Sequence, residues 1–357
     1  MSKILMLCNT YYQLIVAIQM RLTIFKDENV ALVLSDHSRD AEKILEAIKR
    51  ESLFNNCEFI QTKKAISNGA TTSIIRSIKQ GLFGKQDYEI FRQKYDKFIF
   101  YNLECITYSI YNTLLLYNPH LKCSRFEEGI LAYDFIDKKI KKIDLVEKIR
   151  KITSKNIITE KTDSFYCFYP SIYKGTLQTI AIPRIKANGE TAQKLAHVFK
   201  VDIDAGYKEK YIYFTSVYDF EGGAPIGEFE IVSRVGEIVG KENLLVKIHP
   251  RDTRGKYERE GFKVDKNSSI PWEAIQLTSD FSDKVLLSTT SGSVLAGSFL
   301  SEKPIRTIYM HKFCNPKNNT LAITSINSIN NLLKDESMRE ALKEVYAPDK
   351  YEDILEL

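Results

Sequence analysis

Short apolar runs alternate with helical stretches along most of this chain, and no other feature constrains its fold as strongly. In the first half, the runs lie at residues 3–8, 30–34, 57–60 and 97–101. Short continuous apolar runs are typical of strands that are buried on both faces of a sheet. Strands that alternate with helices predict a parallel, doubly wound α/β sheet.

The alternation weakens between residues 130 and about 200 and then starts again. The strand-like runs of the second half lie at residues 211–215, 244–248, 284–287 and 305–309. A chain of 357 residues is too long for one ordinary core and fits two domains of roughly 150–200 residues each. We therefore predict two Rossmann-like domains, one at residues 1–190 and the other at residues 205–357.

The composition excludes several classes of protein. Hydrophobic residues make up 44% of the chain and charged residues 27%, which is typical of a globular protein and not of a disordered one. The net charge of +5 is small and spread along the chain, unlike the clustered charge of a nucleic-acid-binding protein. The six cysteines show no CxxC spacing, which predicts free thiols and no zinc site.

The N-terminal apolar run lacks the features of a signal peptide. It contains one early lysine, no small-residue cleavage site and a polar break at Asn9 and Thr10. No stretch reaches the roughly 18 apolar residues of a membrane-spanning helix. We therefore expect a cytoplasmic protein whose lysines are able to contact the inner face of the membrane.

His249 and Pro250 follow the run at residues 244–248, at the end of a predicted strand. In open α/β sheets, ligands bind outside the carboxyl ends of the strands. Proline stops the strand, and the imidazole beside it can donate a hydrogen bond to a leaving phosphate. The alternative is a histidine that only bonds to a neighbouring carbonyl.

A loop rich in hydroxyl groups follows the run at residues 284–287. Hydroxyls and free backbone N–H groups at the start of a helix form an anion site, and a glycine lets a phosphate approach the backbone. The alternative is a plain capping loop, because serine and threonine are preferred N-caps. A Walker A loop is excluded, because the Gly-Lys-Ser/Thr ending is absent. The residues of this loop are Ser288, Thr289, Thr290, Ser291, Gly292 and Ser293.

Two acidic segments offer candidates for a general base. Glu127 and Glu128 precede Gly129, and crowding of two carboxylates raises the pKa of one of them towards a useful range. Asp219 lies shortly after the run at residues 211–215, in a loop whose glycines suggest mobility. The alternatives are a solvated acidic turn for the first segment and a flexible connection for the second.

Several other features carry less weight. Asp202 and Asp204 are spaced like a DxD metal motif, but no buried strand precedes them, so we predict no metal site. Trp272 and the tyrosine-rich residues 166–173 are more typical of a core than of a sugar-stacking surface. The basic and aromatic residues 138–174 are a candidate contact for a membrane-linked acceptor or a partner subunit.

Taken together, the acidic motif at 127–129, the His-Pro motif at 249–250 and the Ser/Thr motif at 288–293 resemble those of bacterial sialyltransferases, in the same order. The opening sequence CNTYYQL is similar to the start of glycosyltransferase family 52. That family includes lipooligosaccharide sialyltransferases and some capsule enzymes. The resemblance extends from residue 3 to about residue 310.

The resemblance implies a GT-B fold, with a cleft between two Rossmann-like domains. It also implies transfer of sialic acid from CMP-sialic acid to a terminal sugar such as galactose on a lipooligosaccharide or capsule glycan, with inversion and without a metal or other cofactor. The catalytic candidates are His249, Glu127, Glu128 and Asp219. The residues expected to bind substrate are Asn9, Thr10, Gly129, Pro250, Ser288, Thr289, Thr290 and Ser291.

Two alternatives stay open at the level of the sequence. A hexosyltransferase would use a UDP-sugar and release UDP in place of CMP. A non-catalytic protein on the same scaffold would bind a nucleotide-sugar or glycan without turnover. The sequence also leaves open the linkage and whether the protein forms a homodimer.

Overall fold

The computed structural model describes residues 1–62, 78–130, 132–135, 141–153, 156–202, 207–265 and 270–357. The chain divides into two compact units. Unit 1 comprises Met1–Pro183 together with His197–Phe199, and unit 2 comprises Arg184–Ala196 together with Lys200–Leu357.

Unit 1 is built on a seven-stranded parallel sheet in the order β3-β2-β1-β4-β5-β6-β7. Strands β1 and β2 are almost wholly buried, as their continuous apolar sequence predicts. The strands are β1 (Lys3–Cys8), β2 (Asn29–Ser35), β3 (Asn56–Ile60), β4 (Lys97–Phe100), β5 (Lys122–Phe126), β6 (Thr162–Cys167) and β7 (Gln178–Ala181).

The helices of unit 1 connect these strands and cover the sheet. Thr10 caps the first of them, because its hydroxyl oxygen accepts the backbone N–H of Gln13. One core cluster joins β1 and β4 to the helix Cys105–Tyr117 through Leu5, Phe98 and Tyr108. The helices are α1 (Tyr11–Leu22), α2 (Ala41–Arg50), α3 (Cys105–Tyr117), α4 (Ala132–Phe135) and α5 (Lys141–Ile152), with 3-10 turns at Glu89–Phe91 and Pro170–Ile172.

Unit 2 is built on a six-stranded parallel sheet in the order β10-β9-β8-β11-β12-β13. Its strands are β8 (Tyr211–Phe214), β9 (Leu244–Lys247), β10 (Lys263–Val264), β11 (Val285–Ser288), β12 (Arg306–Tyr309) and β13 (Val345–Tyr346). Its helices are α6 (Glu190–Phe199, whose last three residues belong to unit 1), α7 (Glu228–Val239), α8 (Lys256–Arg259), α9 (Trp272–Thr278), α10 (Ser293–Leu300) and α11 (Thr320–Lys334). Short 3-10 helices lie at Lys241–Asn243, His311–Phe313, Glu336–Met338 and Tyr351–Leu355.

The predicted class is confirmed: the chain is an α/β protein with two Rossmann-like domains, each built on a parallel sheet. The region between residues 130 and 200, where the alternation weakens in the sequence, contributes β6 and β7 to the sheet of unit 1. The tyrosine-rich residues 166–173 begin at the end of β6, where Tyr166 and Phe168 are buried in the core, while Tyr169 and Tyr173 are half-buried. Asp204, one half of the DxD-like pair, lies outside the described residues.

Candidate active site

The polar residues predicted in unit 2 follow neighbouring strands. Strand β8 lies between β9 and β11, and Phe214 at its end pairs with Lys247 and with Ser288. The segments that leave these three strands therefore start side by side at one edge of the sheet. In open α/β sheets this is the edge where ligands bind.

His249 is held at this edge by two backbone contacts. Its own N–H donates to the hydroxyl of Thr215, which follows β8, at 2.8 Å. Its ring Nδ1 accepts the N–H of Arg251 at 3.2 Å, so the neutral ring carries its proton on Nε2. Partial burial, and then the charge of Arg251, lower the pKa of His249. The ring is therefore a neutral hydrogen-bond donor at pH 7. Pro250, the next residue, is exposed.

Two of the four predicted phosphate-binding hydroxyls are inside the protein. Ser288 donates its hydroxyl to the carbonyl of Phe214 at 2.8 Å, and the same oxygen accepts the N–H of Ser291 at 2.9 Å. Thr289 donates its hydroxyl to a carboxylate oxygen of Glu228 at 2.5 Å. Both residues are fully buried. Their hydroxyls therefore shape the loop and do not reach a ligand.

The other two hydroxyls lie at the surface of the same loop, at the start of α10. Thr290 and Ser291 are half-buried, and the next residue, Gly292, is exposed. A Cβ added to Gly292 would meet no atom within 4 Å, so the space beside the helix start is open. This arrangement of two hydroxyls and a helix N-terminus suits an anion.

Glu228 joins the loop after β8 to the loop after β11. One carboxylate oxygen accepts both the N–H and the hydroxyl of Ser216, at 2.7 and 2.8 Å, and the other accepts the hydroxyl of Thr289. Burial raises the pKa of Glu228 to about 7. Sequence reasoning missed this residue, because an acidic residue in the first turn of a helix is ordinary.

Asp219 caps a helix. Its two carboxylate oxygens accept the backbone N–H groups of Ile226, Glu228 and Phe229, at 3.0, 3.2 and 3.2 Å. These N–H groups lie at the start of α7 and have no partner within the helix. A carboxylate that is bonded to three backbone groups is poorly placed to take a proton from a substrate.

The loop that carries Asp219 is anchored by hydrogen bonds. In the sequence, its glycines had suggested that it is mobile. The side-chain amide of the fully buried Asn319 donates to three carbonyls of the loop, those of Tyr218, Glu221 and Ala224, at 2.9–3.1 Å. Gly222 and Gly223 have φ angles of +82° and +131°. A Cβ at Gly223 would lie 2.5 Å from a backbone carbonyl oxygen, so the glycines serve close packing.

In unit 1, the predicted residues meet at the ends of β1 and β5. The hydroxyl of Thr10, after β1, donates to Glu128, after β5, at 2.6 Å. The side-chain amide of Asn9 points to the carboxylate of Glu104 at 3.5 Å, and the Asn9 N–H donates to Gln13 at 2.7 Å. The acidic motif and the opening residues therefore form one cluster at this edge of the sheet.

The two glutamates of the motif differ in their surroundings. Glu127 is fully buried and accepts three hydrogen bonds, from the hydroxyls of Tyr12 (3.0 Å) and Tyr133 and from the N–H of Phe168 (2.8 Å). Burial raises its pKa to about 7. Glu127 therefore fixes the ends of β5 and β6 and has no exposed atom for a substrate.

Glu128 is only partly buried, next to Glu127 in sequence. Burial, and to a smaller extent the charge of Glu104, raise its pKa, which the hydroxyl of Thr10 partly offsets. Gly129 follows with φ +75°, a conformation that favours glycine and turns the chain after the motif. Glu128 is thus the carboxylate of the motif that a substrate can reach.

A sequence profile of one protein family matches residues 4–311, a span that includes every strand-end segment named above. The family is described as "Alpha-2,8-polysialyltransferase (POLYST)". The chain belongs to this family. It is therefore a glycosyltransferase of the sialyltransferase class, which confirms the predicted enzyme class. The profile does not name glycosyltransferase family 52, and that finer assignment stays a prediction.

Solved structures give distant similarities. They include an α/β-galactoside α-2,3-sialyltransferase from Photobacterium phosphoreum (12% identity, 97% of this chain and 98% of that chain covered, TM-score 0.49). A UDP-N-acetylglucosamine 2-epimerase is similar to the same degree, with 10% identity, 99% of this chain and 93% of that chain covered, and a TM-score of 0.49. So is the spinosyn rhamnosyltransferase, with 9% identity, 100% of this chain and 99% of that chain covered, and a TM-score of 0.48. TM-scores below 0.5 are too low to inform function. A comparison with characterised protein sequences found no significant match.

Two further observations concern metals and membranes. Among the residues that the structure describes, no three His, Cys, Asp or Glu side chains lie close enough together to hold a metal ion. In the same part of the chain, no helix has both the length and the hydrophobicity needed to cross a bilayer.

Proposed function

We propose that this sialyltransferase-family protein transfers sialic acid from CMP-sialic acid to the terminal sugar of a lipooligosaccharide or capsule glycan, with inversion at the anomeric carbon. The family match over residues 4–311 carries the proposal. Because the family's description names an α-2,8 linkage, we propose a terminal sialic acid as the acceptor. The sequence led us to expect galactose as the acceptor, and a galactose-terminated glycan therefore serves as the comparison in the assay below.

The first step of the proposed reaction is support of the leaving group. The Nε2–H of neutral His249 donates a hydrogen bond to the phosphate of CMP as the bond between the anomeric carbon and the phosphate oxygen breaks. Thr290, Ser291 and the N-terminus of α10 bind the same phosphate. CMP carries one phosphate, and so less charge than the diphosphate of UDP. These groups therefore suffice without a metal.

The second step is activation of the acceptor. We assign the general base to Glu128, whose raised pKa brings it closer to the pH at which proton transfer is efficient. The acceptor hydroxyl gives its proton to this carboxylate and forms the new bond to the anomeric carbon on the face opposite the phosphate. Glu127 and Asp219 are assigned positioning roles, because their oxygens already accept three hydrogen bonds each.

A donor and acceptor assay tests the proposal. The protein is incubated with CMP-sialic acid or a UDP-hexose, in the presence of EDTA, and with glycans that end in sialic acid or galactose. We expect CMP release and extension of the sialic acid-terminated glycan. Release of UDP would instead favour the hexosyltransferase, and binding of CMP-sialic acid without turnover would favour the non-catalytic alternative.

A matched pair of variants tests the role of His249 in the same assay. His249→Ala is compared with His120→Ala, since His120 is exposed in the loop before β5. We expect only the first variant to lose turnover. Equal activity of the two variants would contradict the role of His249.

We also propose that the protein acts in the cytoplasm. None of the six cysteines forms a disulfide, and three of them are only partly buried. Free thiols persist in a reducing compartment. Cell fractionation with a periplasmic marker as control tests this location.

A further inference from the structure

Most backbone N–H groups in the loop after β11 are already bonded within that loop. Those of Thr290 and Ser291 donate to the hydroxyl oxygen of Ser288 at 3.3 and 2.9 Å. That of Ser293 donates to the hydroxyl oxygen of Ser291 at 3.3 Å. The N–H of Gly292, the residue before α10, has no acceptor among the described residues. The first N–H groups at a helix start lack partners within the helix, so Gly292 offers a backbone donor to a ligand.

The carbonyl of Ser291, in contrast, is bonded to a side chain in the interior. It accepts the hydroxyl of Tyr309 at 3.0 Å. Tyr309 is the last residue of β12, pairs with Ser288 at the end of β11, and is only 1% exposed. Burial raises the pKa of its hydroxyl above the ordinary value of 10, so the hydroxyl keeps its proton and donates at neutral pH. The carbonyl of Ser291 therefore points into the protein.

The direction of this carbonyl fixes the direction of the N–H of Gly292. The two groups belong to one trans peptide, which is planar and has its C=O and N–H on opposite sides. Because the C=O points towards the buried Tyr309, the N–H points away from the interior. Gly292 is exposed, and a Cβ added to it would meet no atom within 4 Å. The N–H thus points to the open side of the loop.

We propose that the N–H of Gly292 binds the phosphate of the nucleotide, and that Tyr309 is the positioning residue that directs this N–H. The hydroxyl of Tyr309 holds the peptide in the orientation in which its partly positive N–H faces the anion. In the reverse orientation the carbonyl oxygen would face the phosphate and repel it. The inference rests on the phosphate site of the proposed function and adds a residue that shapes this site without touching the substrate.

Tyr213 provides a matched control for the hydroxyl of Tyr309. It is fully buried in β8 of the same sheet, and its hydroxyl has no hydrogen-bond partner among the described residues. Tyr309→Phe and Tyr213→Phe each remove one buried hydroxyl and keep the aromatic ring, so both keep the packing of the core. Only Tyr309→Phe releases a carbonyl of the loop after β11.

Binding of nucleotides with and without their phosphate tests the proposal. Isothermal titration measures the Kd of CMP, cytidine, UMP and uridine for wild type, Tyr309→Phe and Tyr213→Phe. Phosphorus NMR of bound CMP reports directly on the surroundings of the phosphate. A third variant, Gly292→Pro, removes the N–H itself, and the φ of −70° at Gly292 is one that proline adopts. Thermal unfolding checks that each variant is folded at the temperature of the titration.

Tyr309→Phe and Gly292→Pro should each weaken binding of CMP at least about tenfold, because a hydrogen bond to a charged group is lost, and should leave binding of cytidine unchanged. The phosphorus resonance of bound CMP should move in Tyr309→Phe. Tyr213→Phe should match wild type in both measurements. Unchanged binding of CMP by Tyr309→Phe would overturn the inference. Equal weakening of CMP and cytidine would also overturn it, because Tyr309 would then only support the fold.

The same titrations separate this inference from the proposed donor. Wild-type protein that bound UMP in preference to CMP would contradict CMP-sialic acid as the donor. The contrast between UMP and uridine in Tyr309→Phe would then decide the role of Tyr309. Wild-type protein that bound the two nucleosides as tightly as their phosphates would overturn the phosphate contact, whichever base the site prefers.

Discussion

Replacing Glu228 by glutamine is expected to change how the stability of the protein depends on pH. In the folded protein, burial and, to a smaller extent, the nearby carboxylate of Asp219 raise the pKa of Glu228 from an ordinary value of 4.5 to about 7. Between these two pH values the folded chain keeps a proton that the unfolded chain loses. Folding therefore takes up a proton, and this contribution to stability declines as the pH rises from 4.5 through 7.

The size of the effect follows from the difference between the two pKa values. A difference of about 2.5 pH units corresponds to about 3 kcal/mol, since one unit is worth 1.36 kcal/mol. Glutamine cannot ionise, and its carbonyl oxygen still accepts the two hydrogen bonds from Ser216, while its amide donates to the hydroxyl oxygen of Thr289. Glu228→Gln should therefore gain up to about 3 kcal/mol relative to wild type between pH 4 and pH 8.

Urea denaturation of wild-type and variant protein at several pH values measures this difference. Glu230→Gln is the matched control, because Glu230 lies in the same first turn of α7 but is exposed. The difference between this control and wild type should stay constant with pH. If the free energy of unfolding of Glu228→Gln also differed from that of wild type by a constant amount from pH 4 to pH 8, Glu228 would ionise normally. The reasoning from its burial would then be wrong.

Three further predictions concern activity and loop geometry. His249→Ala should lower kcat about 100- to 1000-fold with an unchanged Tm, as measured by CMP release and thermal unfolding. Glu128→Gln should lower kcat by about 100-fold or more, and should flatten the acidic limb of the pH–rate profile, whereas Glu127→Gln should leave that limb in place. Gly223→Ala should cost about 1–3 kcal/mol in urea denaturation, because its φ is +131° and the new Cβ would meet a carbonyl, whereas Gly292→Ala should change stability little.

The fold was predictable where strands are buried on both faces. Strands β1, β2 and β9 have continuous apolar sequences, and burial of both faces of a parallel sheet requires such sequences. Strand β7 was not predicted, because its partly exposed QTIA sequence lies at the edge of the sheet and needs no apolar run. The two-residue strands β10 and β13 are too short to leave a pattern in the sequence.

The location of the candidate site could be predicted from the sequence, but the hydrogen bonds of its side chains could not. The rule that ligands bind at strand ends led to His249 and to the loop after β11. It does not distinguish the buried Ser288 from the half-buried Ser291, because the two hydroxyls differ only in which way the folded loop turns them. It also cannot show that Asp219 caps α7, since those partners are set by the path of the chain in three dimensions.

Each unit has a fully buried glutamate beside its predicted site residues, Glu127 in unit 1 and Glu228 in unit 2, and burial raises the pKa of both to about 7. The ends of parallel strands leave backbone N–H groups and hydroxyls without partners in the sheet, and a carboxylate can accept several of them at once. Desolvation of the carboxylate is the cost, and it grows as the pH rises through 7 and the proton is lost. The loops that carry Glu128 and Thr290 are therefore held by two buried glutamates that change charge near neutral pH. These two glutamates do not contact a substrate. In a pH–rate profile of the wild-type enzyme these two titrations add to those of the reacting groups. Glu127→Gln and Glu228→Gln each remove one of them and leave the acidic limb that Glu128 sets.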